Sequence, residues 1–362
     1  MMARKVMVGL FFLAVIIGLS FTSKGYLSKV QWNKATVAYE LGYQYFPYAI
    51  YDGSKYIVTY SSSSTGVGGS DSNIYVRIFD GSWNMIKEVQ VTDYGGSFIS
   101  AVVYANNNYY VLFHYVTLTS EHNIAVKQFT SDWSPGTEYQ ILSNAGVYEN
   151  HPSCVFVNDY FYVSYTRDYD VLVAVFDTGW SLQTTYTIAS TSSNEGSSYI
   201  YYDPYNSHFY IAYVSEENGN PDIFVKEYDS SWNLIDRYTI ESSTYSQGDP
   251  SITSDENHFY VVYSSDETGT NKIYIKVYDR SWNFIDKIGV TTMDTDAQVR
   301  SVVLTTTTDL VIVYDSTEGG DLDIFAKYAP LSTVPEISYN TIILMILLIF
   351  LMIYHNIINF KR

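Results

Sequence analysis

Six tryptophans, Trp32, Trp83, Trp133, Trp180, Trp232 and Trp282, follow one another at intervals of 51, 50, 47, 52 and 50 residues. A period near 50 narrows the fold to a repeat architecture, in which each unit buries its apolar faces against its neighbours. The surroundings of the tryptophans repeat as well. Asp80-Gly-Ser-Trp-Asn84, Asp229-Ser-Ser-Trp-Asn233 and Asp279-Arg-Ser-Trp-Asn283 are near copies, with Asp177-Thr-Gly-Trp-Ser181 and Ser131-Asp-Trp-Ser134 as looser ones. Alternating segments rich in aliphatic and aromatic residues recur at 74–79, 124–129, 171–176, 223–228, 273–278 and 324–328. A period of two with that composition predicts strands. Upstream lie aromatic segments at 109–113, 161–165, 209–213 and 259–263, and ahead of these a shorter one, as at 152–155 and 250–253. A fourth segment follows the Trp turn, as at 283–290. Four short strands per repeat make each unit a propeller blade.

Five complete blades are expected between about 46 and 291. The last set of strands, 299–328, stops at Tyr328-Ala329-Pro330 without a Trp turn or a fourth strand, while Gln31-Trp32-Asn33 and the segment 35–41 stand alone at the other end. The chain is therefore predicted to be all-β, a six-bladed propeller over 27–330 whose last blade is completed by residues 28–41. Such closure removes the open sheet edge. A residue repeated in every unit serves what every unit shares, so the six tryptophans and the recurring Tyr and Phe are read as blade packing. Arg77, Lys127, Lys226, Lys276 and Lys327 recur in the third strands and are expected to lay their stems on aromatic surface while exposing the charge. Cys154 is expected to pack as a small hydrophobe on an inner strand.

Composition removes several function classes. The chain carries 38 Asp+Glu against 20 Lys+Arg, a formal charge of −18. That is the wrong sign for a nucleic-acid binder, which needs a basic face. Apolar residues at 47% and aromatics at 17% argue against disorder. One cysteine among 362 residues leaves no disulfide framework and no Cys-rich metal centre. The six histidines, at 114, 122, 151, 208, 258 and 355, show no metal-ligand spacing. Nucleophile elbows, phosphate-binding glycine loops and Asn-x-Ser/Thr sequons are all missing from the sequence.

Both ends read as membrane signals. Arg4 and Lys5 precede an apolar run over 6–19, followed by small residues near Ser20, which is the layout of a signal peptide over 1–23. After a linker at 331–338, residues 339–360 approach the ~20 apolar residues that cross a bilayer, and Lys361 and Arg362 close the chain. Basic residues outside both segments place them in the cytoplasm and the propeller outside the cell, as a single-pass membrane protein with a short cytoplasmic tail. Pro335-Glu336-Ile337, the apolar span and the basic pair resemble the tripartite tails processed by archaeosortases and exosortases. In those families the motif ends in Phe or Pro, where this chain has Ile337. The resemblance implies an archaeal-type surface protein.

The Asp-x-Ser-Trp-Asn turn resembles the Asp-box of sialidase-like propellers, where it is structural. The arginine triad of that family has no counterpart, since Arg77, Arg167, Arg237, Arg280 and Arg300 occupy blade positions that do not correspond. Gly248-Asp249-Pro250-Ser251, followed by the aromatic segment 259–263, is similar to the inner strand of furanosidase-type glycoside hydrolase propellers. There such an aspartate is catalytic, so the resemblance marks Asp249 as a candidate base, with turn capping as the plainer alternative. The corresponding positions are Phe46-Pro47-Tyr48, His151-Pro152-Ser153 and Arg300-Ser301.

Antiparallel strands put the loop before strand one and the loop between strands two and three on a single face. That face carries the longer connections, where binding residues gather. It is acidic, with Glu217, Asp222, Asp266, Glu267, Glu318 and Asp294 as the candidate ligand-binding set and Asp71, Glu121, Asp168, Glu216, Asp296 and Asp321 nearby in sequence. Three readings stay open: solvated loops, calcium held by oxygen ligands, or paired carboxylates for glycoside hydrolysis. Tyr94, Tyr148, Tyr205 and Tyr245 are loop tyrosines suited to stacking on sugar rings. The expectation is a membrane-tethered extracellular propeller that binds a glycan or another envelope protein, with a glycoside hydrolase or an inactive relative of one as the alternative.

Overall fold

In the computed structural model, residues 30–333 are described apart from 118, 292–299 and 319. They form six four-stranded antiparallel sheets. Five are built from consecutive strands; the first runs Tyr43–Tyr51, Tyr56–Ser63, Asn73–Phe79 and Met85–Gln90 from the axis outwards. The sixth takes Ser301–Thr305, Asp309–Ser316 and Asp323–Pro330 from the end of the chain and Asn33–Ala38 from its beginning. Asn33 lies opposite Tyr328 and Ala35 opposite Ala326, so the first strand of the chain occupies the outermost place of the last blade. Among the described residues the only helix is the 3-10 turn Leu331–Thr333, and no helix is long and apolar enough to cross a membrane. The expected signal segment 1–23, the span 339–360 and the sorting-type tail lie outside the described residues.

The repeated Asp has a visible reason. Asp80 Oδ1 accepts from the backbone N–H groups of Ser82 and Asn84, each at 2.9 Å, and its Oδ2 accepts from Asn84 Nδ2. Asp229 with Asn233, and Asp279 with Asn283, repeat the arrangement. This local wrapping holds Trp83, Trp133, Trp180, Trp232 and Trp282 at φ between 59° and 67°, a left-handed conformation that a bulky residue avoids unless its surroundings enforce it. The payoff is placement of the indole. Trp83 stacks on Tyr56 at 4.3 Å, Trp133 on Tyr109 at 4.3 Å and Trp180 on Phe161 at 4.2 Å, all at the start of the second strand of the same blade. Trp32 stands outside this pattern. It is half-buried, it lacks the left-handed turn, and it meets no ring among the described residues.

The recurring cations do not expose their charge as the sequence led us to expect. Lys127 Nζ donates to Val91 O at 2.7 Å, Lys276 Nζ to Ile240 O and Lys327 Nζ to Val290 O at 2.6 Å, and Arg77 Nη1 to Val37 O at 2.8 Å. Lys226 Nζ reaches Ile188 O in the same way. Each acceptor lies at the end of the outer strand of the preceding blade, so these residues tie neighbouring sheets together. The head groups turn inward because that carbonyl is left over where the outer strand bulges or ends, and a buried acceptor needs a donor. Blade 3 has Ala174 at this place and makes no such tie.

Candidate functional site

At the axis, the innermost strands share a backbone irregularity. Pairing of first and second strands slips between Tyr45 and Tyr48, Phe98 and Ser100, Asn150 and Ser153, Gly196 and Tyr199, and Gly248 and Ser251. Each slip contains one non-glycine residue at positive φ: Phe46 at 58°, Ile99 at 43°, His151 at 53°, Ser197 at 46° and Asp249 at 46°. Pro follows in three of the five, where a missing N–H costs no ladder bond. Bulges of this kind re-aim a side chain, and here five of them surround one small cavity, with Arg300 of blade 6 completing the ring. Strain repeats around the axis while the side chain differs in every blade. Packing repeats its residue, as the tryptophans do; here the strained backbone repeats while the residue does not, which makes this ring the candidate site.

The ring has two arcs. Phe46 and Ile99 are apolar, whereas His151, Ser197, Asp249 and Arg300 are polar. The Arg300 guanidinium lies over the Phe46 ring at 3.6 Å, and its Nε stands 3.5 Å from Asp249 Oδ1, an ion pair too long for a hydrogen bond. That Nε is buried without a hydrogen-bond partner, as are the hydroxyls of Ser198 and Ser301, which also line the cavity. His151 Nδ1 meets Asn150 Oδ1 at 2.8 Å. Burial, with Arg300 and His114 nearby, holds the His151 imidazole well below its usual pKa, so it is neutral. Beside it, His114 Nε2 and His122 Nδ1 share a 2.8 Å hydrogen bond, and Tyr148 stacks on His122 at 3.8 Å. Burial drives His114 down to about 3, with His122 and Arg300 adding to the effect. The cavity measures about 70 Å3. That is far short of the ~300 Å3 or more of a pocket that swallows a small ligand.

The acidic residues of this face are placed differently. Asp222 accepts from Asn218 Nδ2 and Ser242 Oγ, both at 2.8 Å, and from the Ser243 N–H. Asp266 caps the Ser246 N–H at 2.9 Å, Glu267 pairs with Lys287 at 2.7 Å, Glu217 pairs with Arg237 and Glu318 with Lys34. These five hold the loops of blades 4 to 6 and do not converge on the axis. Asp294 lies outside the described residues. Among the described residues, Asp249 is the only sequence candidate that lines the cavity, and no three His, Cys, Asp or Glu side chains are placed to hold a metal ion. Tyr94, Tyr148 and Tyr245 are exposed on the mouth face, joined by Tyr169 at 66% exposure, which the sequence reading passed over. Tyr205 belongs to the turn between the first two strands of blade 4 and so sits on the opposite face. The cavity residues Phe46, His151, Asp249 and Arg300 were already aligned by sequence. Ile99 and Ser197 were not.

No protein-family model matches the chain, and no curated protein sequence does. Solved structures share the fold. The Trypanosoma rangeli sialidase, in complex with the inhibitor DANA, superposes with a TM-score of 0.56 at 10% identity, over 84% of this chain and 60% of its own. This chain thus spans about 60% of that sialidase's length. A subtype N10 neuraminidase-like protein of a little yellow-shouldered bat isolate superposes with a TM-score of 0.54 at 10% identity, over 82% of this chain and 97% of its own. The GH43 endo-arabinanase from Bacillus licheniformis gives 0.47 at 14% identity, over 70% of this chain and all of its own.

Proposed function

We propose that this protein is an exported, membrane-tethered propeller that binds carbohydrate at the axial mouth. The observation that carries the reading is the ring of five strained bulges, which brings a different side chain to the axial cavity in each of blades 1 to 5. Exposed Tyr94, Tyr148, Tyr169 and Tyr245 supply flat amphipathic surfaces on the same face, which suit the apolar faces of sugar rings. The apolar segments at 6–19 and 339–360 support export and tethering. The fold shared with sialidase and neuraminidase-like structures fits carbohydrate as the ligand class.

Binding is favoured over hydrolysis because the cavity is small and, among the described residues, one carboxylate lines it, already facing an arginine. Hydrolysis needs a second carboxylate roughly 5–10 Å away, and Asp294 and Asp296, which lie outside the described residues, are the residues to test. Incubating the full chain in detergent with a polysaccharide panel separates the readings. Retention of a polysaccharide without new reducing ends is the expected result. Reducing-end release that disappears in Asp249→Ala would establish the hydrolase instead.

A further inference from the structure

We infer that the groove between blades 2 and 3 binds a primary ammonium on an unbranched alkyl stem, the chemistry of a lysine side chain presented by a partner chain. The inference is independent of the axial mouth and of carbohydrate. Register is the first argument. Arg77, Lys127, Lys226, Lys276 and Lys327 occupy one position of the third strand, opposite Val58, Val111, Ile211, Val261 and Ile312 of the second. Ala174 lies opposite Val163 and so holds that position in blade 3. Each cation reaches a carbonyl of the preceding blade's outer strand, that of Val37, Val91, Ile188, Ile240 or Val290. The matching residue ahead of Ala174 is Ile141. It sits in a slip of the pairing between Ile124 and Ala125, as Ile188 does between Val171 and Leu172 and Ile240 between Ile223 and Phe224.

Exposure is the second argument. The five tied residues are 1% to 3% exposed, whereas Ile141 is half-buried and lines the groove. Thr185, the cross-strand neighbour of Ala174, lines it from the next blade. The opening of about 500 Å3 therefore lies where the five other junctions carry a stem and a cation. The chain itself supplies the template for what fits there.

Chemistry is the third. Val147 and Leu182, the latter 53% exposed, give a methylene stem apolar surface to lie on. The Ile141 carbonyl is the counterpart of the acceptor that the cation meets elsewhere in the ring. Asn144 adds another. Its Nδ2 donates to Glu149 Oε1 at 2.7 Å, and a carboxylate only accepts, which leaves Oδ1 as an acceptor on a groove-lining residue. Arg167 also lines the groove, but its Nε and Nη2 both go to Glu149 Oε1, at 3.1 and 2.8 Å, so its charge is matched within the protein. A second cation beside a matched one has precedent in blade 5, where Lys276 and Lys287 share Glu241.

The test presents different side chains on one backbone unit. The full chain in detergent is titrated with the Nα-acetyl methylamides of lysine, norleucine, Nε-acetyl-lysine and glutamate, and with cadaverine, by ligand-observed NMR. The lysine probe is expected to bind roughly tenfold or more tighter than norleucine, which keeps the stem, and than Nε-acetyl-lysine, which loses the charge, because a site built to hydrogen-bond a group discriminates against its absence. Ala174→Lys restores the chain's own cation, and Thr185→Lys brings one from an exposed wall position; each is expected to abolish that binding. The second variant keeps the test open where the buried Ala174 does not tolerate a longer side chain. Equal binding of lysine and norleucine, or no saturable binding of lysine, overturns the inference. Preference for glutamate overturns it in favour of an anion site at Arg167. Cadaverine binding tenfold tighter than the lysine probe overturns the assignment to a partner chain, in favour of a free diamine. Lysine binding undiminished in Thr185→Lys also overturns it, since the probe then sits elsewhere on this acidic chain.

Discussion

The junction between blades 4 and 5 and the junction between blades 2 and 3 use the same strands and are held differently. In the first, Trp282 is sandwiched between Tyr238 of blade 4 at 4.1 Å and Phe259 of its own blade at 4.6 Å, and Lys276 crosses to Ile240 O. In the second, Trp180 stacks on Phe161 alone, with Tyr110 tilted at 5.7 Å, and Ala174 replaces the crossing cation. A groove of about 500 Å3 opens there, lined by Ile141, Leu142 and Val147 of one blade and Leu182 and Thr185 of the next. The aromatic wedge is therefore common to both junctions, whereas the polar tie is present in only one of them. Where the tie is missing, the outer strands part.

The largest effect that can break this comparison is on the tryptophans. Trp282→Ala is expected to cost ~3–5 kcal/mol in urea denaturation of the full chain. Trp180→Ala is expected to cost about 1 kcal/mol less, the worth of one further stacked ring. Equal losses would mean that the sandwich is not what distinguishes the two junctions. Next comes the tie: Lys276→Met keeps the stem but leaves the Ile240 carbonyl with only the Tyr278 hydroxyl at 3.4 Å and deprives Glu241 of one cation, at an expected ~1–3 kcal/mol. An unchanged midpoint would reduce the crossing cations to bystanders.

The smallest effect concerns a third junction, where the last blade meets the first. Asp323 Oδ1 is buried there without a partner, whereas its counterpart Asp222 receives three donors. Burial, with Asp321 and then Glu318 adding repulsion, pushes the Asp323 carboxyl up to about 6; a backbone contact with Glu40 works the other way. The native state then holds this proton at pH values where the unfolded chain has lost it. Its contribution is greatest below about pH 4, falls as pH rises to about 6 and is flat above. The expected loss is about 1–2 kcal/mol, below the full ~1.4 kcal/mol per unit because solvent screens the neighbouring loop acids. Asp323→Asn should flatten the profile between pH 4 and 6; an undiminished slope there would assign it to other groups.

Much of this was legible in the chain. The 50-residue period and the orphaned Trp32 segment predict six blades and their closure, because strand alternation and box turns are local and the ring follows from repetition. The period also marked Arg77 and the four lysines, but not their partners, since Val37, Val91, Ile188, Ile240 and Val290 offer only a backbone carbonyl that no residue type announces. Charge was a poor guide to the site. Asp222, Asp266 and Glu267 look available in sequence and are consumed by nearby N–H groups, hydroxyls and a lysine once the loops fold back.

By itself, the sequence determined the architecture of this protein and the face on which its long loops lie. Those properties depend on spacing along the chain, and spacing is written there. Only the tertiary structure decided where the chemistry gathers. Phe46, Ile99, His151, Ser197, Asp249 and Arg300 lie about fifty residues apart, and ring closure brings them around one cavity of about 70 Å3, while left-handed bulges, an adjustment invisible in composition, aim the first five towards it.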